Sequence, residues 1–480
     1  MKNNKISTGI LHLDSILHGG FLKGKSYLLK GGPGTGKSTL GYHFLEDGNR
    51  LDESTLLISL GESEKNIRAH STNQDIDLSG TTILDLGPGN EEMRSTQSYS
   101  VFSPQEVESE PILSSVIEAI EKHKPSRVML DSLTMVKYLY ESQFQYKNMA
   151  LFLIHHICSS GSTLVMIGET HPGSADDEAE FWVDGVLEVK AGPYWRRIKI
   201  HKFRGSDFQS GDHAMKITKS GISVYPRLQP DNYEREFQNT PLPSGVDELN
   251  TMLKGGIEKG TVTMMTGPSG AGKTNLGIQF IKEASSRRER SVMYTFEEAR
   301  DVIINRSRLI GVPIDSMIEK GNLEIITIEP FSFSPDEFAM MVRTDIEDNN
   351  TRIVMIDSVD GYMLSVREED ALERLHSLCR YLGNVGVTSL LISETQSVAG
   401  VFVTTNLNAS YLADNILYIR YVELNGELKK SIGILKKRLS DFEKTIREFK
   451  ITGEGIKIGQ PLTNLRGILT GAPVELESEK

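Results

Sequence analysis

Two short glycine-rich stretches carry the residue types that bind phosphate. GGPGTGKST covers residues 31–39 and GPSGAGKT covers residues 267–274, and both have the form Gly-x-x-x-x-Gly-Lys-Ser/Thr. In such a loop, backbone N–H groups curl around phosphate oxygens where a Cβ would clash, and the lysine reaches the β- and γ-phosphates. Each stretch follows an apolar run and precedes a helix-like segment, as the motif requires. The sequence therefore predicts two nucleotide sites.

The residues of each loop have separate predicted tasks. The residues expected to contact ATP are Gly32, Gly34, Thr35, Gly36, Lys37, Ser38 and Thr39 in the first loop, and Gly267, Ser269, Gly270, Ala271, Gly272, Lys273, Thr274 and Asn275 in the second. The hydroxyl groups of Ser38 and Thr274 are predicted to ligate Mg²⁺. Asp131 and Asp357 each end an apolar run and precede a serine, which predicts a carboxylate beside the water shell of that ion. The alternative for each aspartate is a cap of the following loop.

Hydrolysis also needs a carboxylate that orients the attacking water and accepts its proton. Glu62 follows the second apolar run of the first half, and the adjacent Glu297 and Glu298 take that place in the second half. The first half has Gly61 where the second has Glu297. We predict these three glutamates to be catalytic, against the alternative of solvated loop residues. Polar pairs after a later strand, Glu169-Thr170 and Glu394-Thr395, fit γ-phosphate sensing and ordinary loop polarity equally well.

A third element is basic. Lys202 with Arg204, and Lys436 with Arg438, are spaced so that both side chains of a pair share one face of an extended segment. They come too late in each half to reach its own phosphate loop easily. The prediction is that they reach the nucleotide of a neighbouring subunit. A solvated strand edge is the alternative.

These elements belong to a duplicated chain. Lys37 and Lys273 are 236 positions apart, and the same offset pairs Gly9 with Gly245 and Leu13 with Leu249. A register kept without a gap predicts a repeated domain of about 240 residues. The predicted boundaries are residues 1–228 for the first domain, 229–243 for a polar linker, 244–473 for the second domain and 474–480 for a short acidic tail.

Within each half, apolar runs alternate with helical stripes. The predicted strands are residues 55–60, 81–86, 127–130 and 163–167 in the first half, and 291–296, 323–328, 352–356 and 388–392 in the second. Apolar stripes within residues 112–120 and 338–346 predict helices between them. Continuous apolar strands alternating with amphipathic helices predict an α/β fold, a mostly parallel sheet flanked by helices.

Composition narrows the class of protein. The 480 residues are 38% hydrophobic and 25% charged, as in a globular protein, and the formal net charge is −12. No run of eighteen apolar residues and no secretion signal is visible, so a cytoplasmic location is expected. Cys158 and Cys379 lie in apolar surroundings and are expected to be reduced. The acidic balance disfavours non-specific binding to nucleic acid.

Taken together, these motifs resemble the KaiC family, whose members carry tandem RecA-like ATPase domains. The resemblance rests on the two phosphate loops, the strand-end Asp-Ser pairs, the Glu-Glu pair and the Lys-x-Arg pairs. It is especially close in the C-terminal stretch that contains KTIREFKI, residues 444–451. It covers roughly residues 5–473.

The resemblance implies a two-tiered hexamer with ATP and Mg²⁺ at each subunit interface, where Lys202, Arg204, Lys436 and Arg438 contact the nucleotide of the next subunit. Some members phosphorylate themselves at an adjacent Ser-Thr in the second domain. The matching positions here are Ser410 and Tyr411, with Thr404 and Thr405 nearby. The serine is kept and the threonine is not, so the expectation is a KaiC-like regulatory ATPase rather than a clock oscillator.

Four functions remain open on the sequence. The leading one is a homohexameric, Mg²⁺-dependent ATPase that signals to an unidentified protein partner. The second is an autokinase that transfers phosphate to Ser410 or a nearby threonine. The third is a recombinase-like DNA motor, and the fourth is a scaffold that binds ATP without hydrolysing it.

Overall fold

The structure is a computed structural model that describes residues 4–87, 104–137, 140, 142–170, 176–366, 370–395, 409–424, 426–463, 465–466 and 474–475. Internal contacts divide the chain into two compact units, residues 1–227 and 228–480. Each unit is described by itself.

The first unit contains eleven strands within the described residues. They are β1 (Lys5–Ile6), β2 (Phe21–Leu22), β3 (Ser26–Gly31), β4 (Thr55–Ser59), β5 (Thr82–Asp85), β6 (Arg127–Asp131), β7 (Thr163–Glu169), β8 (Gly185–Ala191), β9 (Arg196–Phe203), β10 (Asp212–Thr218) and β11 (Gly221–Tyr225). Its described helices are α1 (Leu11–Ile16), α2 (Lys37–Arg50), α3 (Glu64–Thr72), α4 (Pro104–His123), α5 (Leu133–Lys137), α6 (Gln143–Ser159) and α7 (Asp176–Trp182).

The second unit repeats this order. Its described strands are β12 (Pro241–Leu242), β13 (Ile257–Glu258), β14 (Val262–Gly267), β15 (Ser291–Thr295), β16 (Leu323–Thr327), β17 (Ile353–Asp357), β18 (Thr388–Glu394), β19 (Asn415–Leu424), β20 (Glu427–Lys437), β21 (Arg447–Thr452), β22 (Gly455–Pro461), β23 (Leu465–Arg466) and β24 (Val474–Glu475). Its described α-helices are α8 (Asp247–Met252), α9 (Lys273–Ser286), α10 (Arg300–Leu309), α11 (Ile314–Glu319), α12 (Pro335–Asn349), α13 (Val359–Val366) and α14 (Ala371–Asn384), and two 3₁₀ turns cover Pro230–Asn232 and Ala409–Leu412.

A nine-stranded sheet forms the centre of each unit. The strand order is β11-β10-β9-β8-β3-β7-β6-β4-β5 in the first and β16-β15-β17-β18-β14-β19-β20-β21-β22 in the second. In the first sheet β8, β3, β7, β6, β4 and β5 are parallel to one another, whereas β9 to β11 are antiparallel. The second sheet has the same division after β19. The predicted α/β class with mostly parallel sheets is therefore confirmed.

Both faces of each sheet are buried. Successive side chains of a strand point to opposite faces, so Tyr27 and Leu29 of β3 join one apolar cluster while Leu28 joins another. In β14, Met265 and Met264 are divided in the same way. This double burial is why the parallel strands read as continuous apolar runs in the sequence.

The eight predicted strands all occur, with ends that differ by one or two residues. The predicted helical stripes lie in α4 and α12. The antiparallel strands β9 to β11 and β20 to β22 were not predicted as part of the sheets. Their residues mix buried, half-buried and exposed positions, so they give a weaker apolar signal than the parallel strands do.

The stretch predicted as a linker contains structure. It includes the 3₁₀ turn Pro230–Asn232 and strand β12, which pairs with β13. Tyr233 packs edge-on against Tyr381 of α14, with ring centroids 5.1 Å apart. Residues 474–475 of the predicted tail pair with β23, and the remainder of that tail lies outside the described residues.

Candidate phosphate-binding and catalytic sites

In both units the glycine-rich loop joins the central strand of the sheet to a buried helix. Lys37 begins α2 and Lys273 begins α9. The residues before them, Gly36 and Gly272, have φ of 103° and 109°, a conformation that favours glycine. A Cβ on Gly272 would come within 2.5 Å of Ile451. The loop therefore aims the free N–H groups of a helix N-terminus at the carboxyl edge of the sheet, the arrangement that binds phosphate.

The two loop lysines are buried at this edge. Lys37 Nζ donates to the carbonyl oxygens of Gly31 and Gly32, both at 2.8 Å. Lys273 Nζ donates to the carbonyl oxygen of Pro268 at 2.9 Å and lies 3.4 Å from Glu394 Oε1. Burial lowers the pKa of Lys37, and Glu169 and Asp131 act in the opposite sense.

Each unit also brings a hydroxyl group and a carboxylate together at this edge. Ser38 Oγ donates to Asp131 Oδ2 and Thr274 Oγ1 donates to Asp357 Oδ2, both at 2.7 Å. The peptide bond after each aspartate is cis. Hydroxyl and carboxylate oxygens are the hard donors that Mg²⁺ prefers, so both pairs fit a magnesium ion.

The surroundings of both aspartates disfavour the ionised form of the side chain. Burial raises the pKa of Asp357 to about 6, the hydrogen bond from Thr274 opposes the rise, and the nearby carboxylates of Glu298 and Glu297 add to it. Burial also raises the pKa of Asp131, opposed by Ser38 and reinforced by Glu62. A bound cation would stabilise the charged form of each aspartate.

The predicted catalytic glutamates therefore lie within electrostatic range of the aspartates. Glu62 and Glu298 stand in similar turns, because Ser59 Oγ donates to the carbonyl oxygen of Glu62 and Thr295 Oγ1 donates to that of Glu298. Ser358 Oγ donates to Glu297 Oε1. The first unit has no side chain at the corresponding place, since that residue is Gly61.

The later polar pairs also reach the loops. The Thr170 N–H donates to the carbonyl oxygen of Gly31 at 3.3 Å, and the Thr395 N–H donates to that of Gly267 at 3.1 Å. Glu394 is near enough to contact Lys273. The pairs thus line the same edge of each sheet as the loops.

The Lys-x-Arg pairs lie elsewhere. In the first sheet Gly31 is level with Val189 of β8, whereas Lys202 is level with Val186, about 10 Å back along the strand. Lys202 Nζ donates to the carbonyl oxygens of Glu180 and Val183, before β8 begins.

The second unit repeats this placement. Lys436 is level with Ile416, and its Nζ donates to the carbonyl oxygen of Ala413 at 2.6 Å. Arg438 pairs with Asp414 at 3.0 Å. The side chains of Lys202, Lys436 and Arg438 therefore make their contacts away from the phosphate loop of their own unit.

Ser410 is also remote from its own phosphate loop. It lies in the 3₁₀ turn just before β19, whose first residue is level with Thr263 near the start of β14. The loop follows the other end of β14. Thr404 and Thr405 lie outside the described residues.

Two further pairs of basic residues escaped the sequence analysis. Arg196 donates to the carbonyl oxygen of Gly34 at 3.4 Å, and Lys430 donates to that of Gly270 at 2.9 Å, so each touches its own loop. The ammonium of Lys430 also lies 5.5 Å from the ring centre of Tyr421.

The second missed pair contacts the glutamates. His70 Nδ1 lies 2.9 Å from Glu62 Oε1, and Arg306 Nη1 donates to Glu298 Oε1 at 2.6 Å. The repeat offset of 236, applied beyond the motifs themselves, would have matched His70 with Arg306.

Fold and site together define a tandem RecA-like P-loop protein. A family model for the KaiC ATPase matches the chain twice, over residues 6–229 and 242–463. The chain belongs to the KaiC ATPase family.

Relatives of similar length match nearly the whole chain. The circadian clock oscillator protein KaiC of Parasynechococcus marenigrum (strain WH8102) is 28% identical over 495 residues, which cover 100% of this chain and 95% of the relative. Proteins of the same name from Synechococcus elongatus (strain ATCC 33912 / PCC 7942 / FACHB-805) and Picosynechococcus sp. (strain ATCC 27264 / PCC 7002 / PR-6) are 28% and 29% identical over 491 residues. Both alignments cover 98% of this chain, with 92% and 93% of the respective relatives.

Among the described residues, no helix combines the length and the apolar character needed to cross a bilayer.

Proposed function

We propose that this protein is an Mg²⁺-dependent ATPase whose second unit carries out most of the hydrolysis. The observation that carries the proposal is the cluster at the carboxyl edge of the second sheet. There Thr274 and Asp357 form a magnesium-type donor pair beside two glutamates and a buried loop lysine.

In the proposed reaction a water molecule attacks the γ-phosphorus of ATP, the bond to the β–γ bridging oxygen breaks, and ADP and inorganic phosphate leave. Glu298 or Glu297 accepts the proton of the water. The loop N–H groups and Lys273 hold the β- and γ-phosphates in line for attack. Thr274 and Asp357 would hold Mg²⁺, which when bound would supply positive charge against the phosphate oxygens.

The first unit is proposed to bind ATP chiefly to hold the assembly together. It has the same loop and the same donor pair, Ser38 with Asp131. It has one glutamate, Glu62, where the second unit has two, because Gly61 replaces the other.

The test compares ATP turnover and intact mass in wild type and two variants. We expect Glu297→Gln/Glu298→Gln to lower phosphate release by about 100-fold or more. Glu62→Gln should keep most of the wild-type rate. The reverse pattern would contradict the division of labour between the units.

Intact mass separates hydrolysis from self-phosphorylation. A gain of about one phosphate per chain, absent from Ser410→Ala, would favour an autokinase. Tight ATP binding without phosphate release would instead favour a nucleotide-gated scaffold. A salt-dependent gel shift with single-stranded DNA would favour a recombinase-like motor.

We further propose a homohexameric cytoplasmic ring that signals to a regulatory protein partner. The family resemblance supports the ring. The placement of Lys202 and Lys436 supports contacts between subunits, since each points away from its own loop. In this assembly Lys202, Arg204, Lys436 and Arg438 would contact the nucleotide of the next subunit.

A further inference from the structure

Each unit has a basic side chain in contact with the glutamate that follows its second parallel strand, which is β4 in the first unit and β15 in the second. Arg306 on α10 donates to Glu298 Oε1 at 2.6 Å, and His70 on α3 lies 2.9 Å from Glu62 Oε1. In each case the basic residue comes eight positions after the glutamate. A contact kept at one register in two diverged halves indicates a shared requirement.

Stability alone explains the Arg306 contact poorly. Its side chain is 31% exposed, yet Nε and Nη2 are buried and have no hydrogen-bond partner in the described part of the chain. Burying guanidinium N–H groups without partners costs free energy that one ion pair does not offset. Groups held at such a cost are commonly functional.

The contact with Arg306 also places the two carboxylate oxygens of Glu298 in different surroundings. Oε1 is occupied by Arg306, whereas Oε2 is buried and accepts no hydrogen bond from any described residue. The carboxylate is thereby fixed with one oxygen available as an acceptor. The chain just before Glu298 runs beside Asp357, because the Phe296 N–H donates to the carbonyl oxygen of Asp357 at 2.8 Å, so Glu298 lies near the magnesium-type donor pair.

We propose that Arg306 is the positioning residue for the proton acceptor Glu298, and that His70 has the same role for Glu62. The inference rests on the proposed ATP hydrolysis. A guanidinium remains charged at any working pH, whereas an imidazole is charged only when protonated. The positive charge that holds Glu298 in the second unit is therefore permanent. Fixing the acceptor before the reaction removes reorganisation from the barrier, and small misplacements are costly.

The experiment uses the full chain with Glu62→Gln, so that phosphate release reports the second unit. Arg306→Met removes the charge and retains much of the volume, and Arg306→Lys retains the charge. Arg308→Met is the matched control, because Arg308 is on the same helix but pairs with the exposed Asp315. The quantities measured are kcat, KM for MgATP, and the dissociation constants of ADP and of ADP with aluminium fluoride, which mimics the transferring phosphate.

We expect Arg306→Met to lower kcat about tenfold to 100-fold and to weaken the aluminium fluoride complex by a similar factor. KM and ADP affinity should stay within about twofold. Arg306→Lys should recover part of the loss, and Arg308→Met should resemble the starting protein.

The outcomes separate this inference from the proposed function. Unchanged kcat and unchanged fluoride-complex affinity in Arg306→Met would overturn the positioning role of Arg306 and leave the proposed hydrolysis standing. Equal losses of ADP affinity and kcat would mark a structural role and also overturn it. If the starting protein released no phosphate, hydrolysis by the second unit would be refuted. The ratio of ADP affinity to fluoride-complex affinity would then still decide whether Arg306 positions Glu298.

Discussion

Asp357 has an energetic conflict that a pH experiment can reveal. Burial raises its pKa from 3.8 to about 6, so the folded protein holds this proton more tightly than the unfolded chain does. Below about pH 4 both states are protonated and the group has no effect on stability. As the pH rises through about 4 to 6, the unfolded chain ionises first and the folded state loses stability.

We therefore expect Asp357→Asn to raise the apparent melting temperature of the protein free of Mg²⁺ and nucleotide. The gain should be a few degrees near pH 8 and should vanish near pH 4. Asparagine keeps an oxygen that can accept the hydrogen bond from Thr274. Asp315→Asn is the control, because Asp315 is exposed and Arg308 lowers its pKa. No gain in Asp357→Asn at pH 8 would refute burial as the dominant effect.

At the residue scale, the sequence predicted the residues that belong to recognised motifs. The pairing of Ser38 with Asp131, and of Thr274 with Asp357, follows from where strands end in a parallel sheet. The roles of Arg306 and its partners could not be predicted in this way. An arginine on an amphipathic helix usually indicates a solvated face, and only the fold shows that its N–H groups are turned inward.

At the scale of single elements, the close approach of β3 to β8 restricts which residue can begin the first phosphate loop. Gly31 is the last residue of β3 and lies level with Val189 of β8. A Cβ on Gly31 would come within 2.3 Å of the carbonyl oxygen of Val189, a backbone atom that cannot move aside. The neighbouring Gly32 has more room, because its nearest atom would be Thr35 Cγ2 at 4.0 Å.

This contrast predicts different outcomes for adjacent substitutions. Gly31→Ala should lower the apparent melting temperature by about 5 °C or more, because the sheet must open beside the loop. Gly32→Ala should change it by only a degree or two. Differential scanning fluorimetry without nucleotide measures both. Equal losses in the two variants would show that the distance between β3 and β8 does not set the stability of the loop.

The elements differ in how well the sequence forecast them. Parallel strands such as β6 and β17 are buried on both faces, so their apolar runs were predicted almost residue for residue. Strand β9 alternates buried and partly exposed side chains over part of its length, and its lysines and arginines obscure the pattern. The sequence therefore located the loops and the central strands better than the antiparallel edge.

At the scale of the whole molecule, duplication keeps one architecture and allows the two sites to diverge. Both units retain the loop and the hydroxyl–carboxylate pair. They differ at Gly61 and Glu297, and in the basic residue that contacts the remaining glutamate, which is His70 for Glu62 and Arg306 for Glu298. This divergence is what the proposed division of labour requires, with one nucleotide serving assembly and the other turnover.

The proposed ring makes a prediction that a single chain cannot fulfil. If Lys436 and Arg438 serve the nucleotide of the next subunit, a chain lacking them and a chain lacking Glu297 and Glu298 should complement each other. Lys436→Ala/Arg438→Ala and Glu297→Gln/Glu298→Gln should each be nearly inactive alone. After co-assembly in equal amounts, about a quarter of the second-unit sites would pair intact glutamates with intact cations from the neighbour.

Phosphate release by the mixture should therefore recover to about a quarter of the wild-type rate, since each site acts independently in this count. Each variant carried through the same co-assembly with itself is the control, and its melting temperature shows that loss of the Lys436 bond to Ala413 has not unfolded it. If the cations served their own chain, every site in the mixture would lack one component and the mixture would stay silent. That result would remove the structural argument for nucleotides shared between subunits, because the direction of Lys436 away from its own loop would then have no catalytic meaning.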